Sequence, residues 1–309
     1  MAAPIRSSDL KAIVEPILNK VHDGVMLQRK NEWEEVFTEV KGTPRAYHEE
    51  PMLFGFTAAP EVPDGQPYVY QQGGTLFVQR YVYKVYGMAF AITKVLAEDG
   101  DHIRIGKVFA EHATQSLIET QELLGAAVLN RAFNSLYTGG DGVSLVNTAH
   151  PIYGGLTFSN QLAAAASLSQ TSLEQMLIQM RSAVDSTGRK IRVEPYKIVT
   201  GPSNLYQAEV LLKSVLRTGA ATNDINPVPA MGLLKGGQAN ITRMTSNTAW
   251  FILASKETVK MGLQLVRRRG VERSMEGDFE TDSARYKLGE RYAPHGWTDP
   301  RALWGTPGL

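Results

Sequence analysis

Thr75-Leu-Phe-Val-Gln-Arg-Tyr-Val-Tyr-Lys-Val-Tyr-Gly-Met-Ala-Phe-Ala-Ile-Thr93 is the stretch on which the fold turns. It is dense in β-branched and aromatic residues, and only Gly87 offers a place for a bulge or bend. Fully extended, it would run roughly 60 Å at about 3.3 Å per residue. A compact chain of 309 residues has a radius of gyration of only roughly 19 Å, hence a diameter near 50 Å. Strands in ordinary domains have about 5–6 residues. The expected geometry is therefore a ribbon that leaves the globule, with Pro60 to Gly74 as its tip and Phe54 to Thr57 in the returning strand. Such a ribbon exposes unpaired edges, which proteins tolerate mainly when a partner covers them.

The flanking sequence is helical in pattern. Upstream, Leu10, Ile13, Val14, Ile17, Leu18 and Val21 form one helical stripe, with Pro16 expected to bend or shorten the helix and Gly24 to break it. That helix suits either its own core or a neighbouring subunit. Downstream of the Glu98-Asp99-Gly100-Asp101 break, a helix is expected over about Ile105 to Asn134. Phe109, Ala113, Leu117, Leu124 and Val128 share its apolar face, and at about 1.5 Å per residue it makes a strut of roughly 45 Å. Thr138-Gly139-Gly140-Asp141-Gly142 ends the segment. A second helix opens on a capping box, Thr171 with Glu174, and carries Leu173, Met176, Leu177, Met180 and Val184 at core spacing. Then follow a strand over Ile191 to Thr200, a helix over Leu205 to Leu216, a surface loop over Thr218 to Gly237, a buried strand over Trp250 to Ala254, and a short amphipathic piece over Thr258 to Leu265.

Composition narrows the function classes. Lys plus Arg total 32 against 31 for Asp plus Glu, so the net charge of +1 gives no field to hold nucleic acid. With no cysteine there is no disulfide framework, thiolate metal site or cysteine nucleophile. The run after Met1 is broken by Pro4, Arg6, Ser7, Ser8 and Asp9, unlike a signal peptide, and no stretch is apolar for long enough to span a bilayer. The phosphate loop, the dinucleotide glycine fingerprint and the Gly-x-Ser-x-Gly elbow are all absent. His22, His48, His102, His112, His150 and His295 show no metal-ligand spacing. Asp141, Ser144 and His150 have the side chains of a triad but lie within one turn-rich loop, whereas triads are drawn from separate elements of a rigid scaffold. Glu49 with Glu50, or Asp278 with Glu280 and Asp282, read as solvated or salt-bridged faces before they read as an acid–base pair. Arg267-Arg268-Arg269 is followed by Glu272, Glu276 and Asp278, so salt bridging is favoured over contact with DNA. Tyr68, Tyr70, Tyr81, Tyr83 and Tyr86 lack the basic surround of a base-stacking platform and suit cross-strand pairs and interface anchors. Catalytic, cofactor-binding and metal-binding residues are accordingly expected to number none.

Asp141-Gly142-Val143-Ser144-Leu145-Val146-Asn147-Thr148-Ala149-His150-Pro151, preceded by Leu129-Asn130-Arg131-Ala132-Phe133, resembles the Asp-Gly-x-x-Leu…Thr-x-His-Pro signature of Mu-like tailed-phage major head subunits. Asp278 to Tyr286, and Gly296-Trp297-Thr298-Asp299-Pro300-Arg301-Ala302-Leu303-Trp304-Gly305, are similar to the end of the same proteins. The resemblance implies an α+β chain of the Hong Kong 97-type fold. On that plan residues 1–44 form an N-terminal arm, 45–96 an extended loop called the E-loop, 97–190 with 255–309 a peripheral domain, and 191–254 an axial domain. It implies a non-enzymatic subunit, without cofactor, that assembles with itself into hexamers and pentamers around double-stranded DNA. The virion capsid would be its location, the host cytoplasm its place of assembly, and scaffold, cement and portal proteins its further partners. Some relatives crosslink a Lys to an Asn, and no motif places such a pair here. An encapsulin-like compartment shares the fold, and a hydrolase using Ser144 and His150 is the remote alternative.

Overall fold

The computed structural model describes residues 7–28, 30–93, 95–96, 102–217, 224–278 and 283–309. The Glu98-to-Asp101 break, part of the expected loop (218–223) and the carboxylates Glu280 and Asp282 lie outside them.

The stretch from Thr75 to Thr93 is two strands. β3 (Gly74–Val82) pairs antiparallel with β2 (Tyr47–Phe54) as a two-stranded ribbon, and β4 (Lys84–Thr93) enters a separate four-stranded sheet. The division falls at Tyr83, not at Gly87. Tyr83 is buried, and its hydroxyl accepts a 2.9 Å hydrogen bond from the Thr43 amide. Gly87 instead sits opposite Gly289 in regular register, where a Cβ would come 2.6 Å from the Leu288 carbonyl oxygen. The returning strand ends at Phe54, so Thr57 belongs to the tip, residues 55–73.

The sheet that receives β4 has the order β1 (Thr38–Lys41), β10 (Leu263–Asp278), β11 (Ser283–Trp297), β4, with β1 parallel to β10 and the other pairs antiparallel. β10 and β11, with 16 and 15 residues, are the longest of the strands that sequence reading missed, which also include the short β1 and strands at Gln238–Asn240 and Leu303–Thr306. The expected amphipathic piece over Thr258 to Leu265 is a turn followed by the first residues of β10. Charges on the open face mask the period of two, which survives in the buried series Ala284, Tyr286, Leu288, Glu290, Tyr292.

α1 (Ser7–Gln28) runs through Pro16 and past Gly24. Val14 and Leu18 are buried against α2 (His102–Asn130) and against Ile92, Tyr286 and Leu288 of the sheet, so α1 packs on its own chain. α2 is the strut. Its first half covers the β4–β11 sheet, while Ala126 and Leu129 near its end join a core containing Leu263, Leu265 and Tyr292 from that sheet together with Phe251, Leu253 and Leu303 from a second one.

The second sheet has the order β12 (Leu303–Thr306), β9 (Trp250–Ala254), β7 (Pro195–Thr200), β8 (Gln238–Asn240). Every residue of β9 and β12 is buried. α3 (Gln170–Arg181) and α4 (Leu205–Lys213) pack on this sheet through Leu173, Met176, Leu177, Met180, Ala208 and Leu211. The capping box of α3 is Ser169 with Ser172, two residues earlier than expected, because the Ser169 hydroxyl accepts from the Ser172 amide and the Ser172 hydroxyl accepts from the Ser169 amide. The described part of the expected surface loop, 224–237, is packed rather than loose: Val228 and Leu234 are buried, and Asn226 Nδ2 donates to the Leu211 and Ser214 carbonyls at 2.8 and 3.1 Å.

Candidate assembly surface

The base of the ribbon is anchored by a buried polar knot. Tyr81 Oη and Thr298 Oγ1 are 2.7 Å apart, and Gln264 Nε2 donates to both, at 3.0 and 3.2 Å. Glu50 Oε2 accepts from Thr298 Oγ1 at 2.6 Å and from Gln264 Nε2. Burial raises the Tyr81 phenol well above the ordinary tyrosine range. Further out, Phe54 stacks on Tyr153 with centroids 4.2 Å apart, and Gly140 lies so close to Phe77 that a Cβ would be 2.8 Å from the ring. Arg80 reaches across the strands to Glu49 at 2.8 Å and lies over the Tyr47 ring. These ties hold the ribbon to Phe54 and Gly74. Beyond them the tip leaves Phe56, Tyr68, Val69 and Tyr70 in solvent, Tyr70 at 98% exposure. A compact 34.0 kDa chain exposes about 13,000 Å2, whereas this one exposes 17067 Å2.

The signature loop has a structural role visible atom by atom. His150 is fully buried, with Nδ1 2.6 Å from Asp141 Oδ2 and Nε2 3.0 Å from Asn160 Oδ1. Asn160 Nδ2 in turn faces the carbonyls of Leu145 (2.8 Å), Pro300 (3.0 Å) and Leu303 (2.9 Å), and its Oδ1 accepts from the Asn147 amide at 2.8 Å. Asn160 thereby ties the Asp141-to-Pro151 stretch to the C-terminal stretch. Arg301 completes the join, donating to the Val184 carbonyl at 2.7 Å and lying 4.2 Å over the Phe158 ring. Sequence reading missed Asn160, since a lone asparagine beyond the motif carries no local signal. Ser144 does not meet His150: its hydroxyl donates to the Val146 carbonyl at 3.2 Å and accepts from Asn147 Nδ2 at 3.1 Å. The nucleophile–base bond that a triad requires is not formed.

The arginine run resolves into three different contacts. Arg267 bridges Glu39 and Glu290, both at 2.8 Å, Arg268 donates to the carbonyls of Thr43 and Arg45, and Arg269 reaches Glu272 at 3.2 Å. Glu290 is fully buried and also accepts from Gln121 Nε2 at 2.8 and 2.9 Å; burial outweighs these partners and raises its pKa. His295 is held between the edges of Trp33 and Phe37, both ring nitrogens lacking a partner among the described residues, and burial lowers its pKa to about 3. Of the other carboxylates singled out, Glu49 pairs with Arg80, and Asp278 with Arg285. Among the described residues no group of His, Asp or Glu has the geometry to hold a metal ion, and no helix is long and apolar enough to cross a membrane.

The fold resembles that of several solved structures. They include the capsid of the cyanophage P-SCSP1u (TM-score 0.58, 11% identity, 91% of this chain and 89% of that one) and the procapsid of bacteriophage JBD30 (0.51, 16%, 96% and 74%). A virus-like particle from Pyrococcus furiosus has the same fold (0.50, 11%, 94% and 98%). No curated protein matches the chain in sequence. The family model described as phage capsid protein matches residues 78–305, so the chain belongs to that family and is a structural protein of the phage head, as the resemblance of its motifs implied.

Proposed function

We propose that this chain is the major subunit of an icosahedral tailed-phage head with the Hong Kong 97-type plan, assembling into hexamers and pentamers around double-stranded DNA. On this reading residues 45–96 carry the E-loop, with β4 (84–93) already returned to the peripheral sheet; 97–190 with 255–309 are the peripheral domain, except that β12 (303–306) joins the second sheet; 191–254 are the axial domain and 1–44 the N-terminal arm, with α1 seated on its own subunit. It works without catalysis or cofactor, assembles in the host cytoplasm, and meets scaffold, cement and portal proteins as well as itself.

The observation that carries the reading is the ribbon tip. Phe56, Tyr68, Val69 and Tyr70 are costly to leave in water, and each copy presents them on a rigid lever rather than in a pocket. At roughly 25 cal/mol per Å2 of apolar surface, modest contacts repeated around a closed ring outweigh the cost of association. The test replaces Gly55 to Gly73 by Asn-Gly, which closes a tight hairpin between Phe54 and Gly74. The expected product is a folded subunit that forms no shells in electron microscopy. Particles like those of the unaltered chain would refute the role of the tip. Double-stranded DNA inside particles from infected cells supports the phage head over an encapsulin-like compartment, and a protein cargo reverses that preference.

A further inference from the structure

β4 pairs with β11 along one edge, and among the described residues nothing pairs with the other. The open edge is ten residues long, contains no proline, shows no bulge against β11, and has its single charge at its first position, Lys84. Proteins blunt exposed edges with proline, charge, bulges or brevity. The same molecule does so elsewhere: β2 carries Glu49-Glu50-Pro51, and β1 has four residues. Val85 and Met88, on opposite faces of β4, and Phe109, whose ring meets Phe90 of β4 edge-on at 5.8 Å, are exposed, an apolar margin next to unpaired main-chain groups.

The matching deficiency is at the tip. Tyr68-Val69-Tyr70-Gln71-Gln72 is a run with strong strand-forming residues, yet among the described residues its main chain bonds to nothing. β3 spans about 30 Å and holds this run away from its own β4. The charges are complementary as well. The segment 55–73 has Glu61 and Asp64 and no Lys or Arg, while β4's edge starts at Lys84 and the open face of the adjoining β11 presents Lys287 and Arg291.

We propose that Tyr68–Gln72 of one subunit adds as a fifth strand to the open edge of β4 in a neighbouring copy of this chain. The proposal rests on the shell-building role and specifies its contact: main-chain pairing gives the affinity, and the exposed aromatics settle on the apolar margin. Because each copy donates a strand and accepts one at a different place, the contact is head-to-tail and closes rings rather than dimers.

The chain has no cysteine, so engineered pairs report cleanly. Tyr70→Cys is combined in turn with Val85→Cys, Met88→Cys, Ala89→Cys and Ala91→Cys, and assembled particles are oxidised with diamide and run on a non-reducing denaturing gel. Paired strands bring Cα atoms within disulfide reach and alternate faces with a period of two. One register places a single β4 position directly opposite residue 70, so the expected result is a ladder of covalent multimers concentrated at one position, absent at its immediate neighbours, and none from any single variant. The scan is completed with Tyr86→Cys and Phe90→Cys and with Gln71→Cys in place of Tyr70→Cys, which covers the intervening registers. Particles without a ladder at any pair, or with equal crosslinking at every pair, overturn strand addition while leaving the shell role intact; absence of particles from the unaltered chain overturns both. Val69→Pro and Tyr68→Pro provide the second arm. Both residues are exposed, so proline at either spares the subunit fold; an added edge strand bonds through alternate residues, so one of the two prolines removes a donor. Loss of the ladder is expected from one of them, and particles of both variants that crosslink like the parent refute main-chain pairing.

Discussion

β9 and β3 are built from the same kinds of residues and end in opposite circumstances. In β9, Trp250-Phe-Ile-Leu-Ala254, every side chain is buried and both edges are paired, by β7 and β12. In β3, Gly74 to Val82, buried and exposed positions alternate, one edge is paired by β2, and Val78 and Val82 remain about half exposed. The second sheet is finished within the chain. On the proposed assembly the ribbon and the β4 edge are finished by another copy, so apolar residues stabilise the subunit in one region and the assembly in the other.

Changes in the finished region should cost the subunit most. Trp304 on β12 is buried, and its Nε1 donates to the Arg301 carbonyl at 2.7 Å. Trp304→Ala should lose about 4 kcal/mol of unfolding free energy in urea titrations. Asn160→Ala comes next, with a loss of about 3 kcal/mol, because it strands several buried acceptors and the His150 Nε2 together. If Asn160→Ala is neutral, the join between the two signature stretches is not what holds the C-terminus.

His295 gives the comparison a pH axis. Its folded pKa, about 3, lies below the ordinary histidine value, so the unfolded state binds the extra proton between the two. Stability conferred by the neutral form is complete above about pH 6.5 and lost as pH falls toward about 3. His22, lowered chiefly by burial, acts in the same direction. Glu290 and Glu122, raised chiefly by burial, act oppositely, taking up protons in the folded state first. His295→Phe should change stability by less than about 1 kcal/mol at pH 7, and at pH 5 make the subunit about 2 kcal/mol more stable than the parent. Equal acid sensitivity in both would place the acid-labile group elsewhere.

The elements legible in the sequence were those whose pattern is local. α2, α3, α4 and β9 follow from apolar spacing. The ribbon was expected from the length of one β-rich run, but that run is two strands in two sheets and only its first half belongs to the ribbon; the break at Tyr83 was not legible because it depends on a hydroxyl accepting from Thr43, 40 residues away. β10 and β11 were missed because their open faces carry Arg, Lys and Glu, and because Glu290 is buried as the partner of the half-buried Arg267, which breaks the apolar series. His150 was noticed for its chemistry and is buried in a hydrogen-bonded join with Asp141 and Asn160. Its partner Asn160 matters through contacts at 300–303, which no local window contains.

The smallest effect on the subunit is expected in the unfinished region, and there it separates the two kinds of stability. Val78 lies on the ribbon opposite Pro51 and is 47% exposed. Val78→Thr keeps the β-branched shape, so strand propensity is preserved while one methyl becomes a hydroxyl. Unfolding of the isolated subunit should shift by no more than about 0.5 kcal/mol. In a shell the same loss is repeated at every ribbon, so the concentration needed for assembly, followed by light scattering, should rise by more than the subunit measurement accounts for. Equal shifts in both would mean that Val78 contributes only within its own chain, and that the partner covers the tip without touching the ribbon.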